Sequence, residues 1–317
     1  MLDIVTLGEP MIQLNATTTG PLRSVGYFER HVAGAEANVC VAGSRLGLKA
    51  GLISKVGDDE FGKCVVATLR GEGVDVSHLQ TEKKGFTGVY FIQRGYPVPG
   101  RSKVFYYRKG SSASRLSPED VDEEYIESSK LLYLTGITPA LSNPCLRACA
   151  KAADLARRAG LKIAFDVNIR PALWLDQNPR EALLPLVYES DIVFTESSET
   201  KLLIGESNPS KAAHRLMAKG VSIVVMKGGN KETLVYTKDQ TFRQKAFDVQ
   251  VVDPVGAGDA LGGVFVSGYL KGWKIGECLT AGSVAGAIVV TTRGDQENIP
   301  TESEITEFLK AHETAKS

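Results

Sequence analysis

Neither sign of charge prevails in this 317-residue chain: 37 Lys and Arg balance 37 Asp and Glu. That argues against a nucleic-acid or anionic-membrane surface, both of which need clustered cations. No apolar run is long enough to mark a membrane span. Met1-Leu2-Asp3-Ile4-Val5 has no basic region leading into a long apolar stretch, so no secretory leader is expected. Cysteine is sparse and odd in number: Cys40, Cys64, Cys145, Cys149 and Cys278. An odd set does not make a disulfide framework, and with His78 and His214 distant in sequence it does not suggest zinc. Buried thiols in a reducing cytoplasm are expected instead. Two common phosphate signatures are missing as well. There is no G-x-x-x-x-G-K-[ST], and Gly256-x-Gly258 lacks the third glycine of a dinucleotide fingerprint, Leu261 standing in its place. A nicotinamide-dependent dehydrogenase is thereby disfavoured.

What is present is ordinary globular composition, 43% hydrophobic and 23% charged. Ile4–Gly8, Gly51–Val56, Leu131–Leu134, Lys162–Val167, Ile192–Phe194 and Ile223–Lys227 read as buried strands. They alternate with helical segments at Val39–Leu46, Cys145–Ala159, Glu181–Tyr188, Ser198–Ile204 and Ala212–Ala218. That rhythm predicts an α/β fold with a mostly parallel sheet and helices on both faces. Thr233–Tyr236 and Thr241–Arg243 read as an edge hairpin, and Phe247–Val252 as a further β-like run. The last third is helical at Leu261–Leu270, Ile275–Thr291 and Glu302–Ala311. Two short extended pieces, Ile12–Leu14 and Tyr27–Val32, and a hairpin of Val89–Arg94 with Lys103–Arg108 have no helices between them. They predict a small β lid, formed by about 11–32 and 87–109, on a single domain spanning 1–317.

The stretch Asp253-Pro254-Val255-Gly256-Ala257-Gly258-Asp259-Ala260 leads from the β-like run into a helix. Gly256 and Gly258 let backbone approach a ligand closely, and the helix start offers free N–H groups and the positive end of the dipole. Such a pocket suits a phosphate. Asp259 would repel a static phosphate, but it can take a proton from a hydroxyl that attacks one. The purely structural alternative is an acidic residue that stabilises a first helical turn.

Four further places sit where ligands bind in open α/β sheets, beyond the carboxyl ends of strands. At Gly34 to Asn38 a glycine turn enters a helix, which capping alone would also explain. In Val104-Phe105-Tyr106-Tyr107-Arg108, strand alternation puts Tyr106 and Arg108 on one face. In Asp166-Val167-Asn168-Ile169-Arg170, the three polar residues alternate onto one side. Arginine presents a fork matched to a carboxylate, which a neutral sugar lacks. Two such arginines suit a sugar acid, whereas a solvated Arg108 and an Arg–Asp pair are the structural alternatives. Val224-Val225-Met226-Lys227-Gly228-Gly229 ends a strand in a glycine turn where backbone can meet phosphates.

Asp253–Ala260 resembles the C-terminal signature of the ribokinase-like (PfkB) carbohydrate kinases, and Gly34 with Asn38 resembles their N-terminal glycine motif, although Ala33 replaces its first glycine. Tyr106-Tyr107-Arg108-Lys109-Gly110-Ser111, Leu134–Leu141 and Asp166-x-Asn168-x-Arg170 followed by Leu173-Trp174 resemble the branch acting on 2-keto-3-deoxygluconate. The resemblance implies ATP-dependent phosphorylation of that acid to its 6-phosphate, with Asp259 as base and the Gly256, Ala257 and Gly258 amides as anion hole. It implies sugar contacts from Gly34, Asn38, Tyr90, Tyr106, Arg108, Arg170 and Asp295. Nucleotide contacts would come from Asn168, Ser198, Lys227, Gly229, Ser283 and the Gly256–Gly258 turn. Mg²⁺ is implied as well, a monovalent cation is left open, and a homo-oligomer through the lid is expected. Glu199 matches the acid of the family's Asn-x-x-Glu metal motif, but Glu196 replaces the Asn, so Glu199 is expected to act through water. A neutral-sugar kinase for fructose or ribose, and a non-catalytic sugar or nucleotide sensor, are the competing readings.

Overall fold

The computed structural model describes residues 1–175, 177–229 and 231–314. Its strands run β1 (Ile4–Leu7), β2 (Met11–Thr19), β3 (Phe28–Ala33), β4 (Ala50–Gly57), β5 (Leu79–Glu82), β6 (Val89–Arg94), β7 (Ser102–Tyr107), β8 (Leu131–Thr135), β9 (Lys162–Asp166), β10 (Ile192–Thr195), β11 (Ile223–Met226), β12 (Glu232–Tyr236) and β13 (Thr241–Lys245). Nine of them form one sheet in the order β13-β12-β11-β10-β9-β8-β1-β4-β5. It is parallel from β11 to β5 and antiparallel only in the terminal β11–β12–β13 edge.

The period of two in these strands builds the layers. Ile4, Leu52, Leu131, Tyr133, Ile192 and Phe194 enter one hydrophobic cluster. Their chain neighbours Val5, Ile53, Leu132, Leu134 and Val193 enter the other. Both faces are thus apolar and each must be covered by helices. Helices Ala35–Arg45, Glu60–Gly71, Ala257–Leu270 and Ile275–Val289 contribute to the first cluster, and Asn143–Arg158, Pro179–Tyr188 and Pro209–Met217 to the second.

The remaining strands form a separate sheet in the order β3-β2-β6-β7. Its centre is the parallel β2–β6 pair, flanked by antiparallel β3 and β7. Met11, Ala33, Tyr90 and Ile92 make its small core, with Val104 and Val255 packed on it.

Three local expectations need correction. Phe247–Val252 is not a strand: Val251 and Val252 are exposed, and the Val252 N–H donates to the Val290 carbonyl at a helix end rather than to a strand. The helix after the glycine turn starts at Ala257, a turn earlier than its apolar run suggests. Asp166, Asn168 and Arg170 do not alternate along a strand, since β9 ends at Asp166 and Asn168 is left-handed (φ 36°). β5 escaped notice because only Leu79 of its four residues is buried.

Candidate active site

The carboxyl ends of β1, β8, β9, β10 and β11 and the inner face of the second sheet meet around one cleft of about 1040 Å³. Helix Ala257–Leu270 starts at its wall. Gly256 caps that helix in the left-handed region (φ 84°), where a side chain is strained. An added Cβ would also stand 3.0 Å from the Asp295 carbonyl oxygen. Gly256→Ala is expected to cost about 1–2 kcal/mol of stability, read as a lower urea midpoint, with a drop in kcat because the anion turn must shift.

Asp259 lies in the first turn of this helix, buried. Close helix packing explains its neighbour: Gly263 faces the Val39 Cα, so helix Ala35–Arg45 lies tight against it. Asn38 of that helix donates from Nδ2 to Asp259 Oδ2 at 2.9 Å. Asn168 donates to the other oxygen, Oδ1, at 3.3 Å. Burial raises the Asp259 carboxyl above its ordinary value, the Asp166 charge adds to this, and Arg170, Asn38 and Lys227 oppose it. A carboxylate fixed by two amides, with a raised proton affinity, has the attributes of a general base.

Asn38 therefore departs from the sugar contact expected of it. It is fully buried and absent from the cleft wall, and its amide orients Asp259. Asn168 does line the cleft, but its amide also points to Asp259. Gly34, Tyr90, Tyr106, Arg108, Arg170 and Asp295 all line the same cleft. So do Ser198, Glu199, Lys227, Gly229, Gly256, Ala257, Gly258 and Ser283.

Their electrostatics differ from a simple two-arginine site. Arg108 is buried and ion-paired with Glu9, its Nε donating to Glu9 Oε2 at 2.6 Å. Ser111 donates to the other Glu9 oxygen. Arg170 is exposed and makes no ion pair among the described residues. Asp295 accepts from Gln13 at 2.7 Å and from the Tyr90 hydroxyl at 3.1 Å. Burial and the Asp259 charge push its carboxyl up to about 7. Sequence reasoning passed over Glu9 and Gln13. The Gly8-Glu9-Pro10 break after the first strand was the available signal for Glu9; Gln13 had none.

On the other side of the helix start, Lys227 Nζ contacts both Asp166 oxygens at 2.6 and 2.9 Å. Burial lowers the lysine's proton affinity, but Asp166 and Glu199 outweigh it and the net shift is upward. Lys227 is thus a neutralised cation beside the Gly258 backbone. The Ser283 hydroxyl is buried without a partner among the described residues, at the cleft wall. Phe247, Val249, Val251, Ala287 and Val290 add an apolar wall there. Phe247, Val249 and Val251 thus line the cleft instead of pairing in a strand.

Glu199 accepts N–H groups from Ile169 and Glu196, both at 2.9 Å, and burial raises its carboxyl. Among the described residues no group of three His, Cys, Asp or Glu side chains is placed to hold a metal. An all-protein metal cage does not fit these residues, and both Glu199 oxygens already accept backbone N–H groups, which suits contact with a hydrated ion through water.

Residues 1–302 match the pfkB family carbohydrate kinase description. The chain is 47% identical over 313 residues to a 2-dehydro-3-deoxygluconokinase of Thermoproteus tenax, covering 98% of this chain and 95% of the relative. It is 34% identical over 316 residues to a 5-dehydro-2-deoxygluconokinase of Clostridium perfringens, covering 97% and 93%. Among solved structures, a ribokinase II candidate of E. coli in complex with ATP and Mg²⁺ superposes with a TM-score of 0.92 at 28% identity, over 98% of this chain and 100% of that one. With the ribokinase-like sheet order, the glycine turn and its buried aspartate, these likenesses establish that the chain belongs to the pfkB family of carbohydrate kinases.

Proposed function

We propose that this kinase transfers the γ-phosphoryl group of ATP to the 6-hydroxyl of 2-keto-3-deoxygluconate, yielding 2-keto-3-deoxy-6-phosphogluconate and ADP. The observation that carries the reading is the Asp259 carboxylate, held by Asn38 and Asn168 at a helix N-terminus in a cleft that Arg170 also lines. The 47% identity to the Thermoproteus tenax enzyme supports the same acceptor.

Asp259 accepts the hydroxyl proton as the sugar oxygen bonds to the γ-phosphorus and the bond to the β-phosphate oxygen breaks. The Gly256, Ala257 and Gly258 amides stabilise the charge that develops, so positioning and electrostatics supply most of the rate. Arg170 and the Glu9-held Arg108 receive the substrate carboxylate, with Gly34, Tyr90, Tyr106 and Asp295 around the sugar. Asn168, Ser198, Lys227, Gly229 and Ser283 border the nucleotide. Mg²⁺ would neutralise phosphate charge, and Glu199 would be the residue that reaches it, through water.

The second sheet, about 11–32 and 87–109, acts as a lid on a single kinase domain spanning 1–317 and shields the transfer from water. Its outer face carries Phe28, Phe91 and the exposed Tyr107 in edge-to-face contact. Such a face favours a homo-oligomer through the lid, and a mass that stays monomeric across concentrations overturns that assignment. A cytoplasmic setting agrees with five cysteines that are all free.

ATP turnover with Mg²⁺ tests the acceptor. The panel is 2-keto-3-deoxygluconate, its galactonate epimer, 5-dehydro-2-deoxygluconate, gluconate, fructose and ribose. Turnover restricted to the 2-keto-3-deoxy acids is the expected result. Preference for fructose or ribose discards the acid reading, and silence across the panel favours a sensor.

A further inference from the structure

The anion turn is not held by its own helix alone. Arg94, near the end of lid strand β6, is buried, and its guanidinium donates to three acceptors. Nε reaches Asn15 Oδ1 at 2.7 Å, Nη2 reaches Asp253 Oδ2 at 2.7 Å, and Nη1 reaches the Val252 carbonyl at 3.0 Å. Asn15, on lid strand β2, donates to the same Asp253 oxygen at 2.9 Å. Asp253 is fully buried, and its other oxygen accepts the Val255 N–H at 3.3 Å. From the opposite side, the N–H groups of Val252 and Asp253 both reach the Val290 carbonyl. Residues 252–255 are thereby clamped between the lid sheet and the end of helix Ile275–Val289, one residue before Gly256 opens the anion hole.

We infer that Arg94 is a positioning residue for phosphoryl transfer: through Asp253 it ties the placement of the Gly256–Gly258 amides to the lid. A buried ion pair of this kind is seldom needed for stability, because well-packed apolar residues serve as well or better. What it supplies is a fixed geometry: the three bonds leave from three nitrogens held in one plane, a spread that the single ammonium nitrogen of lysine does not reproduce. Anion-hole donors act through placement, and a displacement of about 1 Å can cost on the order of 100-fold in rate. The assignment is independent of which sugar is phosphorylated, because it concerns the phosphate side of the cleft.

Two variants test it: Arg94→Lys, which keeps the charge and loses the fork, and the double variant Arg94→Gln with Asp253→Asn, which removes both buried charges together. Each is examined for kcat, for the KM of ATP, for melting temperature, and for amide exchange in peptides covering 252–259. Expected are a kcat lowered about 10- to 100-fold, a KM for ATP within about threefold, and exchange at 252–259 accelerated about tenfold or more. The exchange readout needs no acceptor, so it stands even if the proposed substrate is wrong. A folded variant with kcat within about twofold of the parent and unchanged exchange at 252–259 overturns the inference. So does a lowered melting temperature as the sole effect, which reduces Arg94 to a structural brace. If Arg94→Lys does not fold, the neutral double variant decides by the same criteria.

Discussion

Asp259→Asn is expected to lose kcat by about 100- to 10,000-fold, the range that a positioned proton acceptor contributes, while ATP still binds. The amide keeps the shape of the carboxylate and its oxygen still accepts from one of the two asparagines, while the other, Asn38 or Asn168, must turn its amide to meet the new N–H. A second signature separates this from damage to the fold. The Asp259 carboxyl is raised above 3.8 in the folded chain, first by burial and then by Asp166. Between the ordinary and raised values the folded state binds more protons than the unfolded one. The contribution to stability is complete below 3.8 and is lost as pH rises through the folded value. Asparagine has no such loss, so the variant should gain on the parent in urea midpoint as pH is raised from about 4 upward. Near-parental turnover would remove Asp259 from the base role. A stability difference that does not change with pH would mean its carboxyl is not perturbed as described.

The sheet was legible because its strands are apolar on both faces and evenly interrupted by helices. Leu131–Leu134 and Ile192–Phe194 could hardly be anything else. The separate sheet was legible from the lack of helices between Val89 and Arg108. Phe247–Val252 misled because its apolar residues line a cleft instead of pairing, and β propensity reflects packing against neighbours that this segment does not have. Among site residues, Asp259 stood out through its turn chemistry. The destination of Asn38 did not, because the crossing of two helices at Gly263 is set by tertiary packing. Likewise Arg108 looked like a free cation in one dimension, and Glu9, 99 residues away, changes that. Long-range pairing of buried charges leaves no local trace.

That pairing decides which arginine to remove when the substrate's carboxylate is in question. Arg108→Ala would strand Glu9 as a buried, unpaired acid, a loss of about 3–5 kcal/mol, and any fall in activity would be ambiguous. Arg170 is exposed and free of ion pairs among the described residues, so Arg170→Ala should leave stability within about 0.5 kcal/mol of the parent. A hydrogen bond to a charged group is worth about 1.5–3 kcal/mol, so the KM for 2-keto-3-deoxygluconate should rise about 10- to 150-fold. A neutral sugar, if turned over at all, should be affected far less. Arg170 also opposes the rise in the Asp259 carboxyl. Its removal should therefore move the acid limb of the kcat–pH profile to higher pH, because the base must be ionised to act. Equal losses on acid and neutral acceptors would discard Arg170 as the carboxylate ligand. An unmoved acid limb would mean that its charge does not reach Asp259.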